Sequence, residues 1–189
     1  MLQLNFTSFP ILQTERLLLR AHSLDDAKAL FALRTNEEVM KYIYRERPKD
    51  LLEVQTLITT LNKGFEEGNI LVWIIALKEN PSQMIGSIGY YRTDLANHRA
   101  EIGYMLHPDY WGNGIISEAL IKTIAFGFEN INLHSICADV SPKNSASRQI
   151  LLKHGFQEEA YFKERYYFAG EFLDSEIYSL LKNNVKWKM

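Results

Sequence analysis

The stretch A-E-I-G-Y-M-L-H-P-D-Y-W-G-N-G-I-I-S-E-A-L-I-K-T-I-A-F-G-F, residues 100–128, decides how this chain folds and where its chemistry lies. Residues 100–106 read as a strand, and His107-Pro108-Asp109-Tyr110 breaks it. After Trp111-Gly112-Asn113-Gly114, apolar residues recur at Ile116, Ala119, Leu120, Ile124 and Phe128, which is helical spacing. The unit is strand, glycine turn, helix. Gly112 and Gly114 stand where a strand feeds a helix N-terminus, so amide N–H groups are left unsatisfied in the field of the helix dipole. Such a turn suits a phosphate. A plain turn also calls for glycines, and G-x-G alone is weakly specific. The lysine and hydroxyl residue of G-x-x-x-x-G-K-[ST] are missing. Ser117 stands where G-x-G-x-x-G needs its third glycine, so neither common nucleotide-binding loop is present.

Toward the N-terminus, T-E-R-L-L-L-R (residues 14–20) reads as an extended strand. Ser23 with Asp26 three residues on is a capping box, opening a helix that runs to about Arg34. A second amphipathic helix is expected between Asp50 and Phe65, from Leu51, Val54, Ile58, Leu61 and Phe65, with Gly64 and Gly68 ending the pattern. Residues 70–77 and 84–91 pair as antiparallel strands about the turn Glu79-Asn80-Pro81. Beyond the deciding stretch come a strand over 135–140 and a short helix over 144–154 stopped by Gly155. A hairpin of 161–168 with 172–181 follows, about Ala169-Gly170. Hairpins mixed with two strand-to-helix connections predict an α+β fold on a mixed α/β sheet, not a doubly wound one.

A chain of 189 residues with 47% hydrophobic and 23% charged content fits one domain spanning 1–189. The single cysteine, Cys137, excludes a disulfide framework and a cysteine-rich zinc site, and His98 and His107 read as turn residues with no carboxylate or second histidine at a spacing that suggests a metal. We therefore expect no metal. Basic and acidic residues number 21 and 23, a formal charge of -2, so nothing draws the chain generally to nucleic acid or to an anionic membrane. No apolar run approaches the ~20 residues of a membrane span. The N-terminus has neither a basic region nor a continuous apolar core, so a cytoplasmic protein is expected.

Strand A-E-I-G-Y, turn W-G-N-G-I and the later N-S-A-S-R-Q-I-L-L-K-H-G-F together resemble the GNAT superfamily of acyl-CoA-dependent N-acyltransferases. The resemblance extends to T-E-R-L-L-L-R and to the closing hairpin Y-Y-F-A-G-E-F-L-D-S-E-I-Y-S-L-L, and within the superfamily it points to the ribosomal-protein N-terminal acetyltransferases. It implies a central, mostly antiparallel twisted sheet flanked by helices, with strands splayed at the acyl-CoA site and acetyl-CoA as co-substrate. It also implies that the coenzyme pyrophosphate lies on the backbone of Trp111, Gly112, Asn113, Gly114, Ile115 and Ile116. Two of these depart from the family pattern: Trp111 replaces a polar residue, and Ile116 replaces a small one and would crowd the phosphate if turned toward it. The pantetheine arm would follow the backbone around Met105 and Leu106, residues that otherwise read as plain core.

Glu101 shares a strand face with Gly103 and Met105, so an ionisable group sits among apolar neighbours beside an absent side chain that leaves room for a ligand. Desolvation there would raise its pKa toward ~6 to 7, suiting a general base; the other reading is a solvated glutamate paired with Arg92 or Arg99. In the family a glutamate at this position is a recurrent base candidate. Asn144 and Ser147 lie one helical turn apart. Asn144 reads as a helix cap, and the resemblance adds a coenzyme contact for Asn144 and a place near the thiolate for Ser147 as acid. Leu152 stands where many members carry a tyrosine. His154 reads as a helix C-terminal cation. Asp174, Glu176 and Tyr178 alternate onto one strand face, as either an acceptor pocket or, the preferred reading, a solvated edge. The tyrosines at 42, 44, 90, 91, 104, 166 and 167 read as packing.

The implied reaction is direct attack of an amine on the thioester through a tetrahedral intermediate, with Cys137 not a nucleophile. The acceptor is a protein N-terminus or a small amine, such as a polyamine or an aminoglycoside, chosen by the segments around 41–48 and the last hairpin. The rivals are a non-catalytic acyl-CoA-binding module and a small nucleotide-binding domain. Exposed strand edges and family habit point to a homodimer.

Overall fold

The computed structural model describes Leu4 and residues 6–185. Eight strands form one sheet in the order β1-β2-β3-β4-β5-β6-β8-β7. They are β1 (Leu12–Gln13), β2 (Leu17–Arg20), β3 (Leu71–Leu77), β4 (Gly86–Asp94), β5 (Arg99–Leu106), β6 (Ser135–Val140), β7 (Gln157–Phe168) and β8 (Glu171–Leu181). Every neighbouring pair is antiparallel except β5 with β6, because a helix carries the chain between those two and brings it back in the same direction. The helices are α1 (Ala27–Thr35), α2 (Glu37–Met40), α3 (Leu51–Glu66), α4 (Ile115–Glu129) and α5 (Ser145–Lys153).

Strand alternation sorts the core into two layers. Leu30 and Leu33 of α1 and Val54 and Ile58 of α3 pack with Ile74 and Met105 on one sheet face. Ile115, Leu120 and Ile124 of α4 and Leu151 of α5 pack with Trp73, Tyr90, Ile102 and Leu106 on the other. With both faces covered, β3 reads as a continuous apolar run, L-V-W-I-I-A-L. This is the mixed α+β architecture expected, and the capping box of Ser23 and Asp26 forms as read.

Four details differ. Residues 14–16 turn the chain between β1 and β2, with the Thr14 N–H donating to the Leu17 carbonyl. Gly64 lies inside α3 rather than at its end. Asn36 caps the short α2 through its side chain, a turn too brief for periodicity to mark. β8 sits between β6 and β7, so Asp174, Glu176 and Tyr178 are on an interior strand, and Glu176 and Tyr178 are buried. The edge reading fails because the hairpin's first strand, not its last, takes the outside.

Candidate active site

The parallel ladder between β5 and β6 holds three residue pairs, Arg99–Ser135, Ala100–Ile136 and Glu101–Cys137, and then stops. β5 continues to Leu106 against β4 while β6 continues to Val140 against β8, so the two strands diverge and open the sheet. A bulge in β4 between Tyr90 and Arg92 re-aims side chains beside this gap. A cavity of about 240 Å³ occupies it, reached by Glu101, Met105, Asn144 and Ser147 among others. Because β5 alternates, Glu101, Gly103 and Met105 address the α1/α3 side of the gap and Ile102, Tyr104 and Leu106 the α4/α5 side. The gap therefore joins the two faces of the sheet.

The glycine turn lies at the end of β5, on the α4 side. Gly112 and Gly114 have φ of 75° and 74°, a region that side chains other than glycine's enter at a cost. Among the described residues, the amides of Gly112, Asn113 and Gly114 donate to no partner, and the first helical bond of α4 closes only from the Glu118 N–H to the Gly114 carbonyl. Free amides thus converge at a helix N-terminus, an arrangement that receives an anion. Ile115 and Ile116 both bury their side chains in the core, so Ile116 turns away from the turn and does not crowd it. The Trp111 indole N–H donates to the Leu106 carbonyl at 2.8 Å and ties the turn to β5. Arg16 bridges from the first hairpin: its guanidinium donates to the Asn113 carbonyl at 3.0 Å and pairs with Glu118 at 2.7 Å. Thr14 donates to the same carboxylate.

Glu101 reaches the cavity, but its carboxylate pairs with Arg92 at 3.1 Å. That is the pairing with Arg92 which the sequence offered as the other reading of this residue. The space over Gly103 is limited, since a Cβ there would stand 3.2 Å from the Tyr91 ring. Across the gap, the Ser147 hydroxyl shares a 2.7 Å hydrogen bond with the Tyr104 hydroxyl. Burial pushes the Tyr104 phenol up to about 12, against the opposing effect of that hydrogen bond, so it stays protonated at neutral pH. Asn144 caps α5, its side-chain oxygen accepting the Ser147 N–H at 3.1 Å. Tyr104 is the residue that sequence reading missed; its place one step from Gly103 on the face toward α5 was the available signal.

His154 is not a helix-end cation: it is buried, its ring bonds to the Ser117 hydroxyl, and burial lowers its pKa. Glu176 is paired with Arg148 at 2.9 Å and accepts from Tyr178 at 2.8 Å. Burial, first among its causes, pushes the Cys137 thiol up to about 11, which leaves it a poor nucleophile at neutral pH. The described residues hold no group of His, Cys, Asp and Glu that could bind a metal. No helix among them is long and apolar enough to cross a membrane.

An opened mixed sheet with a turn of free amides on one side of the gap and ionisable groups on the other is an arrangement that can serve acyl transfer. Residues 16–157 match the acetyltransferase (GNAT) domain family, and the chain belongs to that family. It is 36% identical over 174 residues to the uncharacterised N-acetyltransferase YoaA of Bacillus subtilis, covering 92% of this chain and 98% of that one. A GNAT-family acetyltransferase structure from Bacillus anthracis superposes with a TM-score of 0.79 at 28% identity, covering 92% and 99% of the two chains. RimL, a ribosomal L7/L12 α-N-protein acetyltransferase solved with coenzyme A, shares the fold with a TM-score of 0.83 at 19% identity, covering 91% and 98%. A spermidine N(1)-acetyltransferase of Vibrio cholerae is 21% identical over 89% of this chain and 94% of its own.

Proposed function

We propose that the protein transfers an acetyl group from acetyl-CoA directly to a primary amine. The observation that carries this reading is the opened β5–β6 gap with the free amides of residues 112–114 at one side and Glu101 at the other. The turn residues fit the coenzyme: two glycines with positive φ, an open surface, and Ile116 buried out of the way. Trp111, Gly112, Asn113, Gly114, Ile115 and Ile116 would hold the pyrophosphate, and the backbone at Met105 and Leu106 the pantetheine arm. Acetyl-CoA supplies an activated thioester. Glu101, held in place by Arg92, takes a proton from the incoming ammonium directly or through a water. A backbone amide near Met105 or Leu106 donates to the carbonyl oxygen as charge gathers there. Ser147, backed by the protonated Tyr104, donates to the departing sulfur.

Two measurements test this. Acetyl-CoA at 100 times its dissociation constant adds ~2.7 kcal/mol, and at this size each kcal/mol moves the unfolding midpoint by about 2 to 4 °C. We expect that rise with acetyl-CoA and none with ATP or NAD at matched concentration. Thiol release in the presence of an amine is the second readout. A thermal rise without thiol release for any amine would make the protein a coenzyme-binding module instead. The likeness to RimL supports a protein N-terminal amine, and that to the spermidine enzyme a small one.

A further inference from the structure

Five charged residues line the cavity: Arg34, Arg45, Arg92, Glu101 and Asp139. Both carboxylates are already satisfied. Glu101 pairs with Arg92. Asp139 accepts hydroxyl hydrogens from Ser175 and Tyr166 and stands 3.8 Å from Arg165. Two guanidiniums are left over. Arg34, in the last turn of α1, is only 7% exposed, and its buried Nε has no hydrogen-bond partner. Among the described residues no hydrogen bond or ion pair to either the Arg34 or the Arg45 side chain is found. Burial lowers the Arg34 pKa and the charge of Arg45 lowers it further, with Tyr91 opposing. Two guanidiniums without a partner among the described residues therefore line one cavity, and for Arg34, the buried one, an unpaired charge is strongly unfavourable.

We propose that Arg34, assisted by Arg45, receives a carboxylate of the amine acceptor, so that the acceptor class is an amino acid or a peptide carrying an acidic group near its amine, not a polyamine. This rests on the acetyl-transfer reading above. α1 packs against Met105, which places Arg34 on the Glu101 side of the gap, across the sheet from the glycine turn. An acceptor there meets a carboxylate that can take its proton and, separately, a planar guanidinium whose fork matches a carboxylate with two parallel bonds. A polyamine would add positive charge to the two arginines already unbalanced, with both acidic side chains already partnered.

The test measures thiol release by the full-length protein from saturating acetyl-CoA with paired acceptors. These are free methionine against methioninamide, a tripeptide amide with Asp in second place against its Asn counterpart, and spermidine. Free methionine and the Asp peptide distinguish an α-carboxylate from a side-chain carboxylate as the group received. A charge-assisted hydrogen bond contributes ~1.5–3 kcal/mol, so in at least one pair the carboxylate acceptor should lead by about 10- to 100-fold in kcat/KM. R34Q should bring that ratio close to one with the KM for acetyl-CoA held, and R34K should restore only part of it. R45Q, at an exposed position, should lower the same ratio and serves if R34Q does not fold. R34Q, freed of an unpaired buried charge, should also unfold no earlier than the parent when no acceptor is present. Preference for spermidine or for the amides, or a ratio that R34Q and R45Q leave alone, overturns the carboxylate assignment while leaving acetyl transfer standing. A preference for succinyl-CoA with the amide acceptors, lost in R34Q, would move the carboxylate to the acyl group and also overturn it. Thiol release with none of these acceptors, despite stabilisation by acetyl-CoA, overturns the transfer reading and this inference with it.

Discussion

Glu101 shows how far one residue's role depends on its partners. The strand alternation that put it beside Met105 was visible in the sequence, but Arg92 reaches it only because β4 and β5 pair as Arg92–Glu101 after a bulge. The ion pair is half open, with 59% of the Arg92 side chain and 27% of the Glu101 side chain exposed, so it orients the carboxylate more than it stabilises the fold. Removing a general base typically costs 10²–10⁴-fold. Glu101→Gln is expected to lower kcat at neutral pH by about 100-fold or more and to leave acetyl-CoA binding intact, as read by the coenzyme-dependent rise in unfolding midpoint. Undiminished turnover would remove Glu101 from the reaction. Ser147 was legible as a hydroxyl on the cap side of a short helix. Tyr104, which bonds to it from 43 residues away, was not, because alternation says which face a side chain takes and not what waits across it.

Among the elements, the turn between β5 and α4 is where local rules worked best. The glycines and the helix start are written within a few residues and appear as read, and the structure adds that Gly112 and Gly114 both have positive φ. What the turn leans on is distant: Arg16 and Thr14, about 100 residues earlier, grip Glu118 and the Asn113 carbonyl. An added Cβ at Gly112 would meet nothing within 4 Å, and at Gly114 only the Arg16 guanidinium at 3.7 Å. The cost of alanine there is conformational, not steric. Gly112→Ala and Gly114→Ala should each lose about 1–2 kcal/mol in urea unfolding and raise the KM for acetyl-CoA more than they change kcat. If both variants keep the parent's stability, the positive φ values are not being enforced. The final hairpin is the opposite case. Its turn at Ala169-Gly170, both with positive φ, was readable, but the inside position of β8 was not.

For the molecule as a whole, His22 links stability to pH. It is buried, and desolvation, chief among its causes, lowers its pKa from 6.5 to about 4. Below pH 6.5 the unfolded chain takes up a proton that the folded His22 refuses until about pH 4, so the unfolded state gains as pH falls across that window. The full effect is up to ~3 kcal/mol. Urea unfolding at intervals from pH 7 to pH 4 should show a steeper loss of stability for the parent than for His22→Gln. Parallel pH profiles for the two would show that His22 does not drive the slope. The same burial logic applied to Arg34 yields a functional reading instead, because Arg34 lines a cavity that can hold a counter-charge and pairs with none among the described residues.

The sequence by itself determined most of the periodic elements, the capping box, the glycine turn and the mixed α+β class, since each depends on residues within one or two helical turns or on alternation along one strand. It also carried the family resemblance that the match over residues 16–157 bears out. Only the tertiary structure decided where the β5–β6 ladder ends, which partner Glu101 takes, that Ile116 points into the core, and that Arg34 finds no partner among the described residues. Those outcomes are set by contacts between segments tens of residues apart, made while the chain buries its apolar surface. No local spacing specifies which charges that burial brings together and which one it leaves without a partner.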